Sequence, residues 1–194
     1  MSNLAERTRT RRGQLIEAGI PLIGLPDGKP VGVRDVCKAA GLTERYFYQA
    51  FGSRENYVKA VYDHVGTGAR NAVIEVLSSD MTTEERARAA VHVFLTRLID
   101  EPANGRVVFV GPTTEPVLGP YSALFAVDFV NFVKGSLSGN HRNDIDRHLS
   151  ALAIVGALSA LFTAFLHGSI GTTRERFTEY CVDLVLTSEA FEVA

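Results

Sequence analysis

The stretch VRDVCKAAGLTERYFYQAFGSR, residues 33–54, decides the fold of this chain. It predicts a short helix over 33–40, a turn at Gly41 and a second short helix over 44–50 that Thr43 caps. Apolar residues recur at helical spacing in both segments, and Gly41 can adopt the positive φ that ends a helix sharply. Two helices joined by so short a turn form a helix-turn-helix unit, whose second helix is sized for the major groove of DNA.

Charge is unevenly distributed along the chain. The 194 residues carry a formal net charge of −2 and are 46% hydrophobic, an ordinary composition for a soluble globular protein. Residues 1–64 contain ten Lys/Arg and seven Asp/Glu, whereas residues 65–194 contain ten and fifteen. A basic first third followed by an acidic remainder suits an N-terminal domain that binds a polyanion and a second domain with another function.

The cysteine count and the N-terminus predict a cytoplasmic protein. Only two cysteines are present, Cys37 and Cys181, which is too few for a disulfide framework. The N-terminus is polar and rich in arginine, without the apolar segment of a secretory signal. Residues 149–166 are 18 residues without a charge, but many are Ala, Gly, Ser and Thr. We therefore predict a buried or interfacial bundle helix there, and no membrane span.

The pattern of apolar residues predicts an all-α chain of about nine helices. Residues 1–8 are expected to form a loose basic arm, and Pro21 is expected to bend or shorten the first helix. The Gly/Pro-rich run at 111–120 is predicted to be a loop, and VVFV at 107–110 is too short and isolated to predict a strand. Eight of these helices have expected bounds, from about 9 to the low twenties and over 33–40, 44–50, 54–77, 82–102, 121–137, 143–167 and 173–188.

The motif resembles the DNA-binding region of the TetR family of bacterial transcriptional regulators. The match runs from Leu15 to Val61 and is carried by Leu15-Ile16 with Ala18, Val33-Arg34-Asp35-Val36, Ala39-Ala40-Gly41-Leu42-Thr43, Phe47-Tyr48 and Phe51-Gly52-Ser53-Arg54-Glu55. The sequence departs from the family pattern at Gly32 and Ala50. The resemblance implies an N-terminal DNA-binding domain over 1–64 and a C-terminal effector-binding and dimerisation domain over 65–194.

The resemblance also implies a set of DNA contacts. Thr43, Tyr48 and Arg54 match positions that hold the phosphate backbone, and their side chains are phosphate donors. Arg34 matches a position that contacts base or backbone. From their chemistry alone, Arg45 could bind guanine and Gln49 adenine, while Glu44 could accept from cytosine and Tyr46 should also project from this helix. Four basic residues near the N-terminus could approach phosphates or remain solvated, namely Arg7, Arg9, Arg11 and Arg12.

Large aromatic side chains in the second domain could line an effector pocket or could simply form the core. The pocket is predicted between the helices that carry residues 84–100, 121–137 and 143–167, open toward the 111–120 loop. The candidate lining residues are Phe94, Leu98, Phe109, Tyr121, Phe125, Phe129, Phe132, Phe162 and Phe165.

No catalytic motif, metal-ligand set or cofactor motif is recognisable in the sequence. Asp144 and His148 are one helical turn apart, which favours an intrahelical pair over half a metal site. The sequence and the resemblance therefore predict a repressor that binds a palindromic double-stranded operator as a homodimer through helices around 143–167 and 173–188. A small apolar or amphipathic effector would relieve binding. The alternatives are a helix-turn-helix protein without an effector and a helical enzyme.

Overall fold

The computed structural model describes residues 2–25, 29–137 and 143–189, with side chains from Thr10 to Ser188 within these ranges. These residues form ten α-helices and no strand, so the predicted all-α class is confirmed. The helices are α1 (Ser2–Ile23), α2 (Val33–Ala40), α3 (Glu44–Phe51), α4 (Arg54–Leu77), α5 (Thr83–Leu98), α6 (Pro102–Phe109), α7 (Gly111–Thr114), α8 (Leu118–Ser136), α9 (Asp144–Leu166) and α10 (Arg174–Glu189).

The first helix is longer than the sequence predicted. It begins at Ser2, so the expectation of a loose arm does not hold for residues 2–8. This segment is rich in Leu, Ala, Glu and Arg, which are good helix formers. Pro21 lies inside the last turn of α1, and the helix ends two residues later at Ile23.

The region between α5 and α8 is more helical than predicted. The expected loop at 111–120 contains α7 and the start of α8, and residues 102–109 form α6. Helices α6, α7 and α8 each have a proline in the first turn, namely Pro102, Pro112 and Pro120. A proline at a helix start loses no hydrogen bond, because the first N–H groups have no partner within the helix. The prolines thus begin these helices instead of excluding them.

Helix caps account for several of the boundaries. Thr82 and Glu85 form a reciprocal capping box at the start of α5. Asn143 accepts from the N–H of Asp146 at 2.9 Å, and Ser53 accepts from the N–H of Asn56 at 3.1 Å. Thr43 stands at the N-cap of α3, but its side chain makes no capping hydrogen bond, so that predicted bond is wrong.

The chain divides into two compact units, and the first comprises Met1–Gly68 and Pro102–Ser122. In this unit α1 packs against α2, α3 and α6. At the centre, Tyr57 is fully buried and its hydroxyl donates to the Leu15 carbonyl at 2.8 Å. The rings of Phe47 and Phe51 lie 4.8 and 5.0 Å from that of Tyr57. These three rings and the Tyr57 hydrogen bond hold α3 and α4 against α1.

Packing within the first unit includes a close approach between α1 and α6. A Cβ atom added at Gly24 would lie 2.7 Å from the carbonyl oxygen of Ala103, so only glycine fits. The functional boundary predicted at residue 64 stays a prediction. By packing, residues 102–122 group with the N-terminal helices and not with the rest of the chain.

The second unit comprises Ala69–Glu101 and Ala123–Ala194, and within it α10 packs against α5 and α9. Its core contains Leu95, Phe162, Phe177 and Cys181, each at most 3% exposed. Arg174 at the start of α10 donates to both carboxylate oxygens of Asp100. That hydrogen-bonded pair lowers the pKa of Asp100 below its ordinary value.

Helix α9 has an unusual composition for a helix of this unit. By length and composition it is long and apolar enough to cross a membrane, and it is the one such helix among the described residues. Only 22% of its most apolar window is buried within the chain. A core helix of a monomer would be mostly buried, whereas much of the apolar surface of α9 stays exposed or only partly buried within the described chain.

Candidate nucleic-acid interface

The joint between α2 and α3 has the geometry that the sequence predicted. Gly41 adopts φ 65°, the left-handed region, directly after α2 ends. The N–H of Leu42 donates to the Cys37 carbonyl at 2.9 Å, and that of Gly41 donates to the Lys38 carbonyl at 3.3 Å. These two bonds satisfy carbonyls at the helix end that would otherwise lack a partner. The turn is therefore specified by backbone conformation and not by its side chains.

Helix α3 presents one apolar face inward and one polar face outward. Phe47 is fully buried and Phe51 is 7% exposed. The exposed residues are Glu44, Arg45, Tyr48 and Gln49, whereas Tyr46 is half-buried. Of the four residues predicted to project from this helix, three are therefore exposed, and Tyr46 is only partly so.

Two arginines of α1 lie beside α3. The guanidinium of Arg11 is 4.2 Å from the centre of the Tyr46 ring, and that of Arg12 is 5.0 Å from the centre of the Phe51 ring. Both distances are within the range of cation–π attraction. These contacts bring the basic end of α1 next to the second helix of the motif, whereas the side chains of Arg7 and Arg9 lie outside the described residues.

Arg34 and Glu44 form an ion pair across the motif. Their Nε and Oε1 atoms are 3.3 Å apart, and their side chains are 91% and 48% exposed. Exposed pairs of this kind contribute only about 0.2–1 kcal/mol, so either partner can be released to another ligand at little cost. Burial raises the pKa of the Cys37 thiol, and the negative charge of Glu44 raises it further.

Arg54 occupies a different environment from the other predicted contacts. Its Nη2 atom lies 2.7 and 2.5 Å from the two carboxylate oxygens of Glu115, and its Nε donates to the Val31 carbonyl at 2.7 Å. Its side chain is only 26% exposed. The phosphate contact predicted for Arg54 stays a prediction, but in the free protein this guanidinium already has protein partners. Nothing in the sequence pattern pointed to Glu115 or Val31, because neither belongs to the motif.

The predicted effector residues are divided between the two units. Phe109 on α6 and Tyr121 on α8 belong to the first unit. The Tyr121 hydroxyl donates to the carboxylate of Asp63 at 2.7 Å, and this bond raises the pKa of Tyr121 to about 12. Lys59 lies 5.2 Å from the centre of the Tyr121 ring.

The remaining candidates belong to the second unit, where most of them pack together. Phe94 is 5.7 Å from Phe129 and 5.5 Å from Phe162, and Phe129 is 5.8 Å from Phe132, measured between ring centres. Phe177, which we did not predict for this site, stacks on Phe165 at 4.4 Å. Leu98 is buried, and Phe125 is half-buried on α8. We call Phe94, Phe129, Phe132, Phe162, Phe165 and Phe177 the aromatic cluster.

A surface groove of about 470 Å³ lies elsewhere in the second unit. Its lining residues, Glu85, Arg88, Ala89, His92, Val93 and Thr96, all belong to α5. None of them is in the predicted effector set. A groove lined by one helix is less able to enclose a ligand than a space between several helices. The effector site predicted at the aromatic residues stays a prediction.

Comparison with known proteins identifies the fold. No protein-family model and no curated protein matches the sequence. Among solved structures, a TetR-like transcriptional regulator from Rhodococcus sp. RHA1 is similar with a TM-score of 0.70 at 16% identity, over 94% of this chain and 97% of that chain. The fatty acid degradation regulator FadR from Bacillus halodurans is similar with a TM-score of 0.77 at 15% identity, over 94% and 96%. The resemblance predicted from the motif is thus confirmed in the fold of nearly the whole chain.

Proposed function

We propose that this protein is a non-enzymatic, cytoplasmic transcriptional regulator of the TetR type that binds double-stranded DNA through α2 and α3. The observation that carries the proposal is the exposed polar face of α3, where Arg45, Tyr48 and Gln49 are exposed. Arg11 and Arg12 lie at its side and add positive charge. Guanidinium, phenol and amide groups on a short exposed helix are the donors that major-groove recognition uses.

We further propose that the operator is palindromic and that the protein binds it as a homodimer. A two-fold dimer presents two copies of α3, which must enter successive major grooves about 34–36 Å apart. The apolar surface of α9 that the chain leaves uncovered supports a second copy as its cover. Contact with that copy, and not with lipid, would explain the apolar composition of α9.

Selection of duplexes from a random-sequence pool tests DNA binding without knowledge of the operator. The purified protein is expected to enrich a two-fold symmetric sequence, and the logarithm of the binding constant should fall linearly with that of the salt concentration. Enrichment of no sequence over several rounds at low salt would refute the proposed function. Enrichment of an asymmetric sequence would refute the palindromic operator.

We propose that the protein acts as a repressor and that a small apolar or amphipathic effector relieves its binding. The support is the aromatic cluster and the likeness in fold to FadR, a regulator of fatty acid degradation. Amphipathic compounds such as acyl chains with a polar head are therefore the first candidates. By linkage, an effector that weakens DNA binding must itself bind more weakly to the DNA complex by the same factor.

A thermal-shift screen distinguishes this mode of control from a regulator without an effector. A ligand at one hundred times its dissociation constant stabilises the folded state by about 2.7 kcal/mol. A compound that raises the melting temperature should also release the selected duplex, and Phe162→Ala should remove both effects. If no compound in an apolar and amphipathic library shifts the transition, the alternative of a regulator controlled by a partner or by its abundance is favoured.

A further inference from the structure

Glu115 is the one charged residue with a buried side chain among the residues whose side chains the structure describes. It lies between α7 and α8, and backbone bonds fix it there. Its N–H donates to the Gly111 carbonyl and its carbonyl accepts from the N–H of Leu118, both at 2.8 Å. A carboxylate that is 1% exposed needs strong partners, because burial of an unpaired charge is very unfavourable. No local sequence pattern marks this residue.

The partners of Glu115 flank the helix-turn-helix motif on both sides. Arg54 is the first residue of α4, directly after α3 and the Gly52-Ser53 turn. Val31 lies two residues before α2, and its N–H donates to Oε1 of Glu115 at 2.7 Å. Arg54 also donates to the Val31 carbonyl, so Glu115, Arg54 and Val31 form a closed set of hydrogen bonds. We call these three residues the flank clamp.

The flank clamp ties the motif to a segment far along the chain. Glu115 is 84 residues from Val31 and 61 from Arg54. Nη2 of Arg54 contacts both oxygens of Glu115 while Nε donates to the Val31 carbonyl, so two positions on the planar guanidinium are held and its orientation is fixed as well as its distance. Because α8 begins three residues after Glu115, a shift of its first turn would be passed directly to the carboxylate.

We propose that Glu115 is a positioning residue for DNA recognition, which holds α2 and α3 in the orientation that the operator requires. The inference rests on the proposed function and assigns to Arg54 a role within the protein instead of a phosphate contact. Two α3 helices of a dimer must match two half-sites together. A small change in their direction should therefore weaken specific binding much more than non-specific attraction to phosphates.

Glu115→Gln is the primary variant, because it keeps the shape of the side chain and removes its charge. We expect at least a tenfold loss of affinity for the duplex that the wild type selects. Affinity for a scrambled duplex of the same composition should change less than threefold, and the salt slope should not change. Asp100→Asn is the matched control, since it breaks a similar arginine–carboxylate pair in the second unit and should leave both affinities unchanged.

Arg54→Lys separates the flank clamp from a phosphate contact. Lysine keeps the positive charge beside Glu115 but cannot bind both oxygens and the Val31 carbonyl in the same geometry. If Arg54 acts through the clamp, this variant should also lose specific binding selectively. The double variant Glu115→Gln/Arg54→Lys should then bind no more weakly than the single variant with the larger loss of affinity. If Arg54 contacts phosphate, both duplexes should lose affinity by the same factor, and Glu115→Gln should leave specific binding intact.

Hydrogen exchange of the free protein provides a measurement that needs no DNA. In both variants, backbone amides of residues 31–36 and 52–57 should exchange at least tenfold faster than in the wild type, whereas those of α10 should not change. If Glu115→Gln does not fold, Arg54→Lys carries both tests. The inference would be overturned if these segments exchange in the variants at the wild-type rate, or if the variants bind each duplex as tightly as the wild type does. The proposed function would still stand. Failure of the wild type to select any duplex would instead refute the proposed function.

Discussion

Arg45, Tyr48 and Gln49 combine exposure with groups that donate hydrogen bonds in three different geometries. The fork of arginine matches two acceptors on guanine, and the amide of glutamine matches the donor and acceptor of adenine. The hydroxyl of tyrosine is better suited to a single phosphate oxygen. Their positions on α3 agree with the sequence prediction, whereas their contacts with DNA stay predictions.

Base readout and phosphate contact predict different effects of substitution. Arg45→Ala should lower affinity for the selected duplex by roughly 1–3 kcal/mol and affect a scrambled duplex much less. Tyr48→Phe, which removes only a hydroxyl, should weaken binding to both duplexes equally. Titrations at several salt concentrations measure both effects. Equal losses on the two duplexes for Arg45→Ala would exclude it from base readout.

The pair of Asp100 with Arg174 should make stability depend on pH at the acidic end. The pKa of Asp100 is lowered in the folded state. Its contribution to stability is therefore fully present above the unfolded pKa and is lost as the pH falls through the folded pKa. Both side chains are about one third exposed, which limits the contribution to about 0.2–1 kcal/mol. Asp100→Asn should therefore destabilise the protein at pH 7 and have little effect well below pH 4, the ordinary range of Asp. Urea unfolding at both pH values tests this, and a constant difference would contradict it.

At the level of helices, apolar periodicity and capping residues predict where most helices lie. The bounds of α2 and α4 follow the prediction, as does the turn at Gly41. The sequence does not predict α6 and α7, because proline and glycine usually indicate loops, although proline is favoured in the first turn of a helix. The flank clamp could not be predicted either, since it joins residues 61 and 84 positions apart and no local pattern reports such contacts.

The capping box of α5 offers a direct measure of what one cap contributes. Thr82→Ala removes the hydroxyl that accepts from Glu85 N–H and should lower the free energy of unfolding by about 1 kcal/mol. For a chain of this size that corresponds to a melting temperature about 2–4 °C lower. Thr83→Ala, one residue later and inside the helix, is the control and should change stability much less. Equal effects of the two substitutions would show that the box contributes nothing.

For the whole molecule, the proposed dimer contact depends on which apolar side chains remain exposed in the chain. Phe177 and Cys181 lie on α10, one of the two helices predicted to form the dimer contact, but both side chains are buried within the chain and are not available to a second copy. Exposed apolar side chains are found on α8, at Leu124 and Val127, and on α10, at Tyr180. On α9 they form a stripe, in which Ile145 is 70%, Leu149 56% and Leu152 52% exposed. Gly156 and Ala160 continue the same stripe as small exposed residues, which permit close approach of another helix. Periodicity marked these positions as apolar but could not tell which would pack within the chain.

A charge in the middle of this stripe should separate the dimer without unfolding the subunit. Leu152→Glu places a carboxylate where a second copy would bury it, and a contact of obligate-dimer size could not compensate its desolvation. Light scattering at micromolar concentration should show a dimer for the wild type and a monomer for the variant, with unchanged circular dichroism. Met81→Glu, at another exposed apolar residue, should stay dimeric. The monomer should also lose the selected palindrome although α3 is untouched, because one recognition helix cannot occupy two half-sites. A dimer that survives Leu152→Glu would place the interface elsewhere, and a wild-type monomer that binds the palindrome tightly would refute dimeric recognition.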